Sequence, residues 1–138
     1  MRTLLLASAV VVWCGALRQT RRVWRSRQLG SIDNLELEEI QIAEALAPDC
    51  ARVRVGAIGL NFADVFSVLG LYAAFSERPP LSVAGLEFAG TVEEAGAACG
   101  YAVGDRVFGF TRFGAFADSV TQRGKLLRPT PAGWTDAE

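Results

Sequence analysis

Residues 53–70 read VRVGAIGLNFADVFSVLG, and the spacing of the apolar residues changes at Asn61. Before Asn61, apolar residues alternate with polar or small ones, which predicts a strand with one solvated face. After Asn61 they recur at i, i+3, i+4 and i+7, which predicts one face of a helix. These helical positions are Phe62, Val65, Phe66 and Leu69. Gly70 is expected to end the helix as its C-terminal cap.

Two polar residues begin this predicted helix. Asn61 occupies the N-cap position, and Asp64 lies in the first turn, where a carboxylate complements the helix dipole. Capping alone accounts for both residues. Capping is also compatible with ligand contact, because a helix N-terminus at a cleft holds polar groups rigidly, and both interpretations stay open.

A hairpin is predicted before this stretch. Residues 23–29 are strand-like, residues 30–34 form a turn cluster, and apolar residues between 35 and 42 partly alternate. Residues 45–49 then form a loop that leads into the strand at residue 53.

The strands that complete the sheet are predicted after the helix. Val83 to Ala95 reads as one long strand containing Gly85 and Gly90, and glycine within a strand is typical of a bulge or a close backbone approach. Three further segments are expected to close a barrel. They are residues 106–110, 113–120 and 125–128.

Two acidic residues of this region have structural interpretations. Asp105 follows Gly104 and is interpreted as a turn-forming aspartate. For Glu87 we favour an ion pair with Arg106 in the barrel wall, and the alternative is a residue of the cleft.

Several runs resemble, in order and spacing, the N-terminal GroES-like catalytic domain of the medium-chain dehydrogenase/reductase superfamily. They are residues 53–64, 85–92, 104–108 and 114–117. The run 59–65, followed by Gly70-Leu71-Tyr72, is most similar to the zinc-free quinone oxidoreductase type, which includes zeta-crystallin. Residues 114–134 also resemble the enoyl reductase modules of polyketide synthases. The resemblance implies a mainly β fold with short helices, arranged as a GroES-like, partly open β-barrel.

The resemblance also implies chemistry without zinc. Asn61 stands where zinc-dependent relatives have a cysteine ligand, and Leu86 stands where they have a histidine. The 138 residues contain no histidine, and the three cysteines have no C-x-x-C spacing. We therefore predict no metal ligands, and interpret Cys50 and Cys99 as small apolar residues.

The implied reaction transfers hydride from NADPH to a quinone or an enone. Without a metal, the negative charge that develops on the substrate oxygen needs a hydrogen-bond or proton donor. The resemblance suggests Tyr72 as that catalytic donor, and its structural alternative is a packed aromatic residue. Asp64 is the second catalytic candidate, as the residue that orients a neighbouring donor. Asn61 is expected to contact the ribose or the carboxamide of the cofactor.

The glycines bear on cofactor binding. None of the 14 glycines forms a G-x-G-x-x-G turn after a strand, whereas a Rossmann domain places the cofactor pyrophosphate on such a turn. We therefore interpret residues 22–138 as a GroES-like domain lacking the Rossmann domain of the full enzyme. NADPH binding is expected only together with a C-terminal nucleotide-binding domain, so this chain alone is expected to be inactive. A non-catalytic GroES-like interaction module is the alternative.

Residues 1–21 form an apolar and basic leader. The run 4–17 carries no charge, and arginines flank it on both sides. A helix of that length covers roughly 21 Å, short of the roughly 30 Å hydrocarbon core. A signal or anchor segment, a transit peptide and a run without a targeting role all stay open. Membrane association through residues 4–17, as in a membrane-anchored relative of the vesicle quinone-oxidoreductase-like protein, is one alternative, and the compartment stays open between cytoplasm, membrane and organelle.

Composition excludes one class of partner. With 51% hydrophobic and 21% charged residues, the chain has the composition of an ordinary globular domain. The formal net charge is −1, and because residues 1–32 carry six arginines and no acid, the rest is acidic. No basic stripe with interleaved aromatic residues occurs there, so nucleic-acid binding is not predicted. The expected partner is the small-molecule quinone or enone, and a homodimer is an open alternative for the full-length protein.

Overall fold

A computed structural model of the chain describes residues 20–42, 45–71 and 83–138. The leader, apart from its last two residues, lies outside the described residues, so its role and the boundary at residue 22 stay predictions. The described strands form a two-stranded sheet and a five-stranded sheet. No helix in these three ranges is long and apolar enough to cross a membrane.

The predicted hairpin is confirmed. Strand β1 (Thr20–Ser26) pairs antiparallel with strand β2 (Leu35–Gln41), and a short 3-10 turn (Ile32–Asn34) precedes β2. The first strand lies closer to the N-terminus than predicted, because the chain bends over residues 27–30.

The second sheet is antiparallel throughout. Its strands are β3 (Cys50–Gly59), β4 (Glu87–Ala95), β5 (Arg106–Phe110), β6 (Ser119–Arg123) and β7 (Leu127–Pro129). They lie in the order β6-β3-β4-β5-β7, and the pairing of β3 with β4 shifts register between Arg52 and Val53 and between Val55 and Ala57. Such bulges bend a strand and increase its twist. The sheet curls into a half-barrel, and the predicted mainly β, GroES-like fold is confirmed.

The two glycines predicted to interrupt β4 have different roles. A Cβ at Gly90 would lie 2.0 Å from the carbonyl oxygen of Arg54, so the close backbone approach is confirmed. Gly85 has a φ of 96° and turns the chain before the strand begins. The strand predicted from Val83 therefore starts only at Glu87, and Val83 makes an isolated bridge to Arg25.

The main core fills the concave side of the five-stranded sheet. Its buried residues come from the strands and from the connecting loops. They are Ala51, Val53, Phe88, Val92, Cys99, Val107, Ala115, Val120 and Leu127. Cys99 is thus a buried apolar residue, as predicted, while Cys50 is partly buried.

Helix α1 (Phe62–Leu69) packs on a second, smaller cluster. Val68 contacts the buried Ala84 and Phe116, with Leu35 of β2 packed against them. The helix ends at Gly70, whose left-handed φ of 75° confirms the predicted cap. The hairpin turn and the helix are joined where Gly30 N–H donates to the carbonyl of Val68 at 3.1 Å.

The segment 113–118 is not the continuous strand predicted there. It crosses between the two sheets instead, because Phe116 accepts a hydrogen bond from Trp24 N–H at 2.8 Å and donates to Ala84 at 2.9 Å. Regular pairing with β3 begins only at Ser119.

The predicted ion pair between Glu87 and Arg106 is wrong. Arg106 lies opposite Thr91 in the sheet, and Glu87 lies opposite Phe110. The Arg106 guanidinium instead binds the Asp136 carboxylate at 2.7 Å and the carbonyl oxygen of Trp134. Asp105, in contrast, is the predicted turn residue, because its carboxylate accepts a hydrogen bond from Ala102 N–H at 2.8 Å.

Candidate active site

The candidate site lies where β3 ends and α1 begins. The chain leaves the sheet at Gly59, and Asn61 has the extended backbone of an N-cap residue, with φ −124° and ψ 152°. The change of period in the sequence thus coincides with the change from strand to helix. It places a polar residue at the junction of the two elements.

Asp64 closes the first turn of α1. Its side chain and that of Asn61 have the reciprocal capping-box arrangement, and Asn61 N–H donates to Asp64 Oδ2 at 2.9 Å. Asp64 is only 4% exposed. A buried carboxylate is costly unless it accepts hydrogen bonds, so this contact fixes Asp64 and Asn61 relative to each other. The structure thereby brings together two of the three predicted site residues.

The side-chain amide nitrogen of Asn61 takes no part in the capping hydrogen bonds. Its Nδ2 atom is buried and has no hydrogen-bond partner within the described part of the chain. A buried donor without a partner costs about 1–3 kcal/mol, so such an atom marks a place where a partner is expected. The donor is chemically suited to a carbonyl or hydroxyl oxygen.

The third predicted residue, Tyr72, lies outside the described residues. Its neighbour Leu71 is described, and Leu71 N–H donates to the carbonyl of Phe66 at 2.8 Å, just past the helix end. The position of the Tyr72 hydroxyl therefore stays a prediction.

Large apolar side chains are exposed just before α1, along it and just after it. We call this set the apolar rim: Leu60, Phe62, Val65, Phe66 and Leu71. Phe62 is 81% exposed and Leu60 78%, and the rings of Phe62 and Phe66 stack with their centroids 6.4 Å apart. Exposed apolar surface of this kind is typical of a ligand or interaction site.

Glu87 is a neighbour of this site that the favoured sequence interpretation missed. A Cβ at Gly59 would lie 2.5 Å from Glu87 Oε2, so the carboxylate covers the end of β3, two residues before Asn61. The alternation of buried and exposed residues along β4 could have indicated this position for Glu87. Phe88 faces the core, so Glu87, the preceding residue, must face the opposite side of the sheet.

The donor set does not fit a metal ion. Within residues 20–42, 45–71 and 83–138, no three histidine, cysteine, aspartate or glutamate side chains form a group that could hold one. Leu86 and Asn61 offer no imidazole or thiolate, the ligands that zinc prefers.

Comparison with known proteins gives the same family from sequence and from structure. Residues 47–131 match the model of the alcohol dehydrogenase GroES-like domain. The chain is 42% identical over 118 residues to mycoketide-CoA synthase of Mycobacterium tuberculosis, an alignment that covers 83% of this chain and 3% of that protein.

Among the solved structures similar to this chain are a quinone oxidoreductase and an enoyl reductase. The quinone oxidoreductase of Escherichia coli, solved in complex with NADPH, is 28% identical with a TM-score of 0.73, over 86% of this chain and 35% of that one. The CurK enoyl reductase is 25% identical with a TM-score of 0.73, over 85% of this chain and 37% of that one. The chain thus spans little more than a third of the length of these structures.

Proposed function

Because the chain belongs to the alcohol dehydrogenase GroES-like domain family, in the quinone oxidoreductase type of the medium-chain dehydrogenase/reductase superfamily, we propose that it is the catalytic domain of an NADPH-dependent reductase. The substrate is a quinone or an enone, and no zinc takes part. Residues 22–138 form this domain, which strand β1 extends to Thr20 and Arg21, the last two residues of the predicted leader. A nucleotide-binding domain completes the enzyme.

The observation that carries this proposal is the buried amide of Asn61. Its Nδ2 atom lacks a partner among the described residues, at a helix N-terminus beside the apolar rim. We assign this donor to the ribose or carboxamide oxygen of the nicotinamide half of the cofactor. The cofactor supplies the hydride when it is bound.

The residues around Asn61 have supporting roles. Asp64 accepts the hydrogen bond from Asn61 N–H and so holds the donor in place without contacting the cofactor phosphates. The apolar rim excludes water and provides a surface for the ring of a quinone or the chain of an enone. Water exclusion strengthens the hydrogen bonds made at the substrate oxygen.

In the absence of a metal, the negative charge that develops on the substrate oxygen needs a hydrogen-bond donor. Tyr72 follows the end of α1 by three residues, and its phenol can donate to an oxygen that gains negative charge as hydride is added to the conjugated carbon. A Tyr72→Phe enzyme should therefore lose kcat and keep its cofactor affinity.

The proposal is tested with the chain joined to the nucleotide-binding domain of a quinone oxidoreductase. We expect NADPH oxidation that depends on 1,4-benzoquinone or on a 2-enoyl thioester. Asn61→Ala should weaken NADPH binding, whereas Phe62→Ala, at the next position, should change mainly the KM for substrate.

Two outcomes contradict the proposal. If the joined protein is folded and binds NADPH but turns over neither substrate, the reaction class is wrong. If instead the joined protein neither turns over a substrate nor binds NADPH, while the isolated nucleotide-binding domain does bind NADPH, the chain is better described as a non-catalytic module.

A further inference from the structure

Glu87 lies at the edge of the candidate active site but takes no part in the cap of α1 or in the core. It begins β4, where the sheet places it opposite Gly59 on β3 and Phe110 on β5. A Cβ at Gly59 would lie 2.5 Å from Glu87 Oε2 and 3.0 Å from Glu87 Cβ, so a larger residue there would displace this side chain. The Glu87 side chain thus lies along the last residue of β3.

The chain runs directly from Gly59 into the site. Asn61 follows Gly59 by two residues, and two residues span at most about 7 Å. Together with the contact at Gly59, this span places Glu87 Oε2 within about 11 Å of the Asn61 Cα. The carboxylate is therefore close enough for its charge to act on a molecule held at Asn61.

Glu87 carries a negative charge that the described residues do not pair. Its side chain is exposed, and an exposed glutamate is ionised at neutral pH. None of the ion pairs among residues 20–42, 45–71 and 83–138 includes it. Arg106, on the same face of the sheet, is bound to Asp136, and the Arg112 guanidinium lies over the Phe113 ring, 5.7 Å from its centroid.

The start of α1 does not cancel this charge. A helix N-terminus carries the equivalent of roughly half a positive charge, which is smaller than the full charge of one carboxylate. Asp64 already lies in the first turn of the helix, and the apolar rim adds no charged group. The approach to Asn61 is therefore negative on the side of Glu87.

We propose that Glu87 makes the Asn61 site selective for substrates whose reacting end carries no negative charge, a selectivity that rests on the reductase function proposed above. Its carboxylate repels an anionic substituent, such as a sulfonate, next to the reacting carbon. Two like charges about 10 Å apart at a protein surface weaken binding by about threefold. Uncharged quinones and enones bind beside the apolar rim without this repulsion.

The test compares 1,4-naphthoquinone with 1,4-naphthoquinone-2-sulfonate as substrates of the chain joined to the nucleotide-binding domain of a quinone oxidoreductase. The readout is the ratio of the two kcat/KM values, anionic over neutral, and its change on substitution. The intrinsic reactivities of the two quinones cancel in that change, as does any effect of Glu87 on the hydride step that both share. Glu87→Gln should raise the ratio about threefold, and Glu87→Lys should raise it further. Glu87→Asp keeps the charge and should keep the ratio.

Glu93→Gln is the matched control. Glu93 lies on the same strand and the same face, six residues or about 20 Å from Glu87. Glutamine keeps an acceptor for the hydroxyl of Ser119, which donates to Glu93 at 2.7 Å. The substitution removes the same charge from the protein and should leave the ratio unchanged.

Salt provides a readout that needs no substitution. Raising the ionic strength from about 0.01 M to about 1 M shortens the Debye length from about 30 Å to about 3 Å. The repulsion from Glu87 is then screened, so the ratio should rise in the unsubstituted protein.

The outcomes separate this proposal from the reductase function. An unchanged ratio in Glu87→Gln, or equal increases in Glu87→Gln and Glu93→Gln, overturns the role of Glu87 and leaves the reductase function standing, because the joined protein is then still active. Turnover of neither quinone by a folded joined protein contradicts the reductase function and the selectivity with it. If Glu87→Gln does not fold, the salt series decides: a ratio that does not rise with ionic strength overturns the selectivity.

Discussion

At the scale of single residues, Asn61 combines a structural and a chemical feature. Its backbone N–H is bound by Asp64, which starts the helix, while its side-chain Nδ2 is buried without a partner in the described residues. Capping alone accounts for the contact of the backbone N–H with Asp64. We attribute the buried Nδ2 to cofactor binding, and substitutions of Asn61 can separate capping from cofactor binding.

Asn61→Ala should lower the free energy of unfolding by about 1 kcal/mol, because alanine cannot cap the helix. Asn61→Asp should lose less, because aspartate still caps. In the protein joined to a nucleotide-binding domain, however, Asn61→Asp replaces the amide donor with a carboxylate, and NADPH affinity should fall. Thermal melts and cofactor titrations of both variants check this. Unchanged affinity in Asn61→Asp would mean that Asn61 is only a cap.

At the scale of elements, one buried apolar side chain anchors α1. Val68 is 2% exposed in the small cluster, whereas Val65, on the same helix, is 41% exposed. The helix therefore depends on a single face for its position, and that position sets where Asn61 lies.

Val68→Ala should destabilise the protein by about 2 kcal/mol, because it removes buried methyl groups and leaves a cavity. Val65→Ala is the matched control and should change stability by less than about 0.5 kcal/mol, since its side chain is largely solvated. Urea unfolding of both variants makes the comparison. Equal losses would show that α1 does not pack as described.

A second element-scale contact ties the C-terminal residues to the sheet. Arg106 holds both Asp136 and the carbonyl of Trp134, and a Cβ at Gly56 would meet Asp136 Oδ2 at 2.1 Å. The last residues described therefore lie against the outer face of β3 and β5. The partner of Arg106 is distant in sequence, which is why the pairing with Glu87 was predicted wrongly.

Arg106→Gln should speed amide exchange at residues 130–138 and cost at most about 1 kcal/mol, because the pair is partly exposed and screened by solvent. Glu87→Gln should leave exchange in that segment unchanged. Hydrogen exchange followed by mass spectrometry reports on both. If Glu87→Gln accelerated amide exchange in that segment to the same extent, the result would support the ion pair between Glu87 and Arg106 that the sequence suggested.

At the scale of the whole molecule, residues 1–138 contain no G-x-G-x-x-G turn, and this limits what these residues do alone. Residues 1–138 should bind NADPH weakly and reduce neither quinone nor enone, because neither the barrel nor Asn61 replaces a helix N-terminus directed at the phosphates. The measurement is NADPH oxidation by the purified chain. Turnover above that of a heat-inactivated sample would refute this expectation.

The purified chain should also contain no stoichiometric zinc. No histidine occurs in the sequence, and the cysteines are widely separated. Elemental analysis after dialysis checks this, with a zinc-dependent alcohol dehydrogenase as the positive control. One tightly bound zinc per chain would overturn the zinc-independent mechanism.

Sequence alone determined the features that depend on near neighbours. Alternation before Asn61 and helical spacing after it predicted β3, α1 and both ends of the helix, because side-chain period and capping are local properties. The close approach at Gly90 was predictable because glycine weakens a strand interior and is retained there mainly where another backbone lies near or the strand bulges. The family resemblance, which rests on such local runs, predicted the fold in the same way.

Tertiary structure alone decided the features that depend on register between distant strands. Arg106 pairs with Asp136 because the sheet places it opposite Thr91, four residues from Glu87. The burial of Asn61 Nδ2 likewise depends on how other segments pack around the helix. The same holds for the cavity that is lined by Arg21 on β1, Arg52 on β3 and Thr111 in the loop after β5. No local pattern records these contacts, because their energies arise only when residues far apart in the chain are brought together.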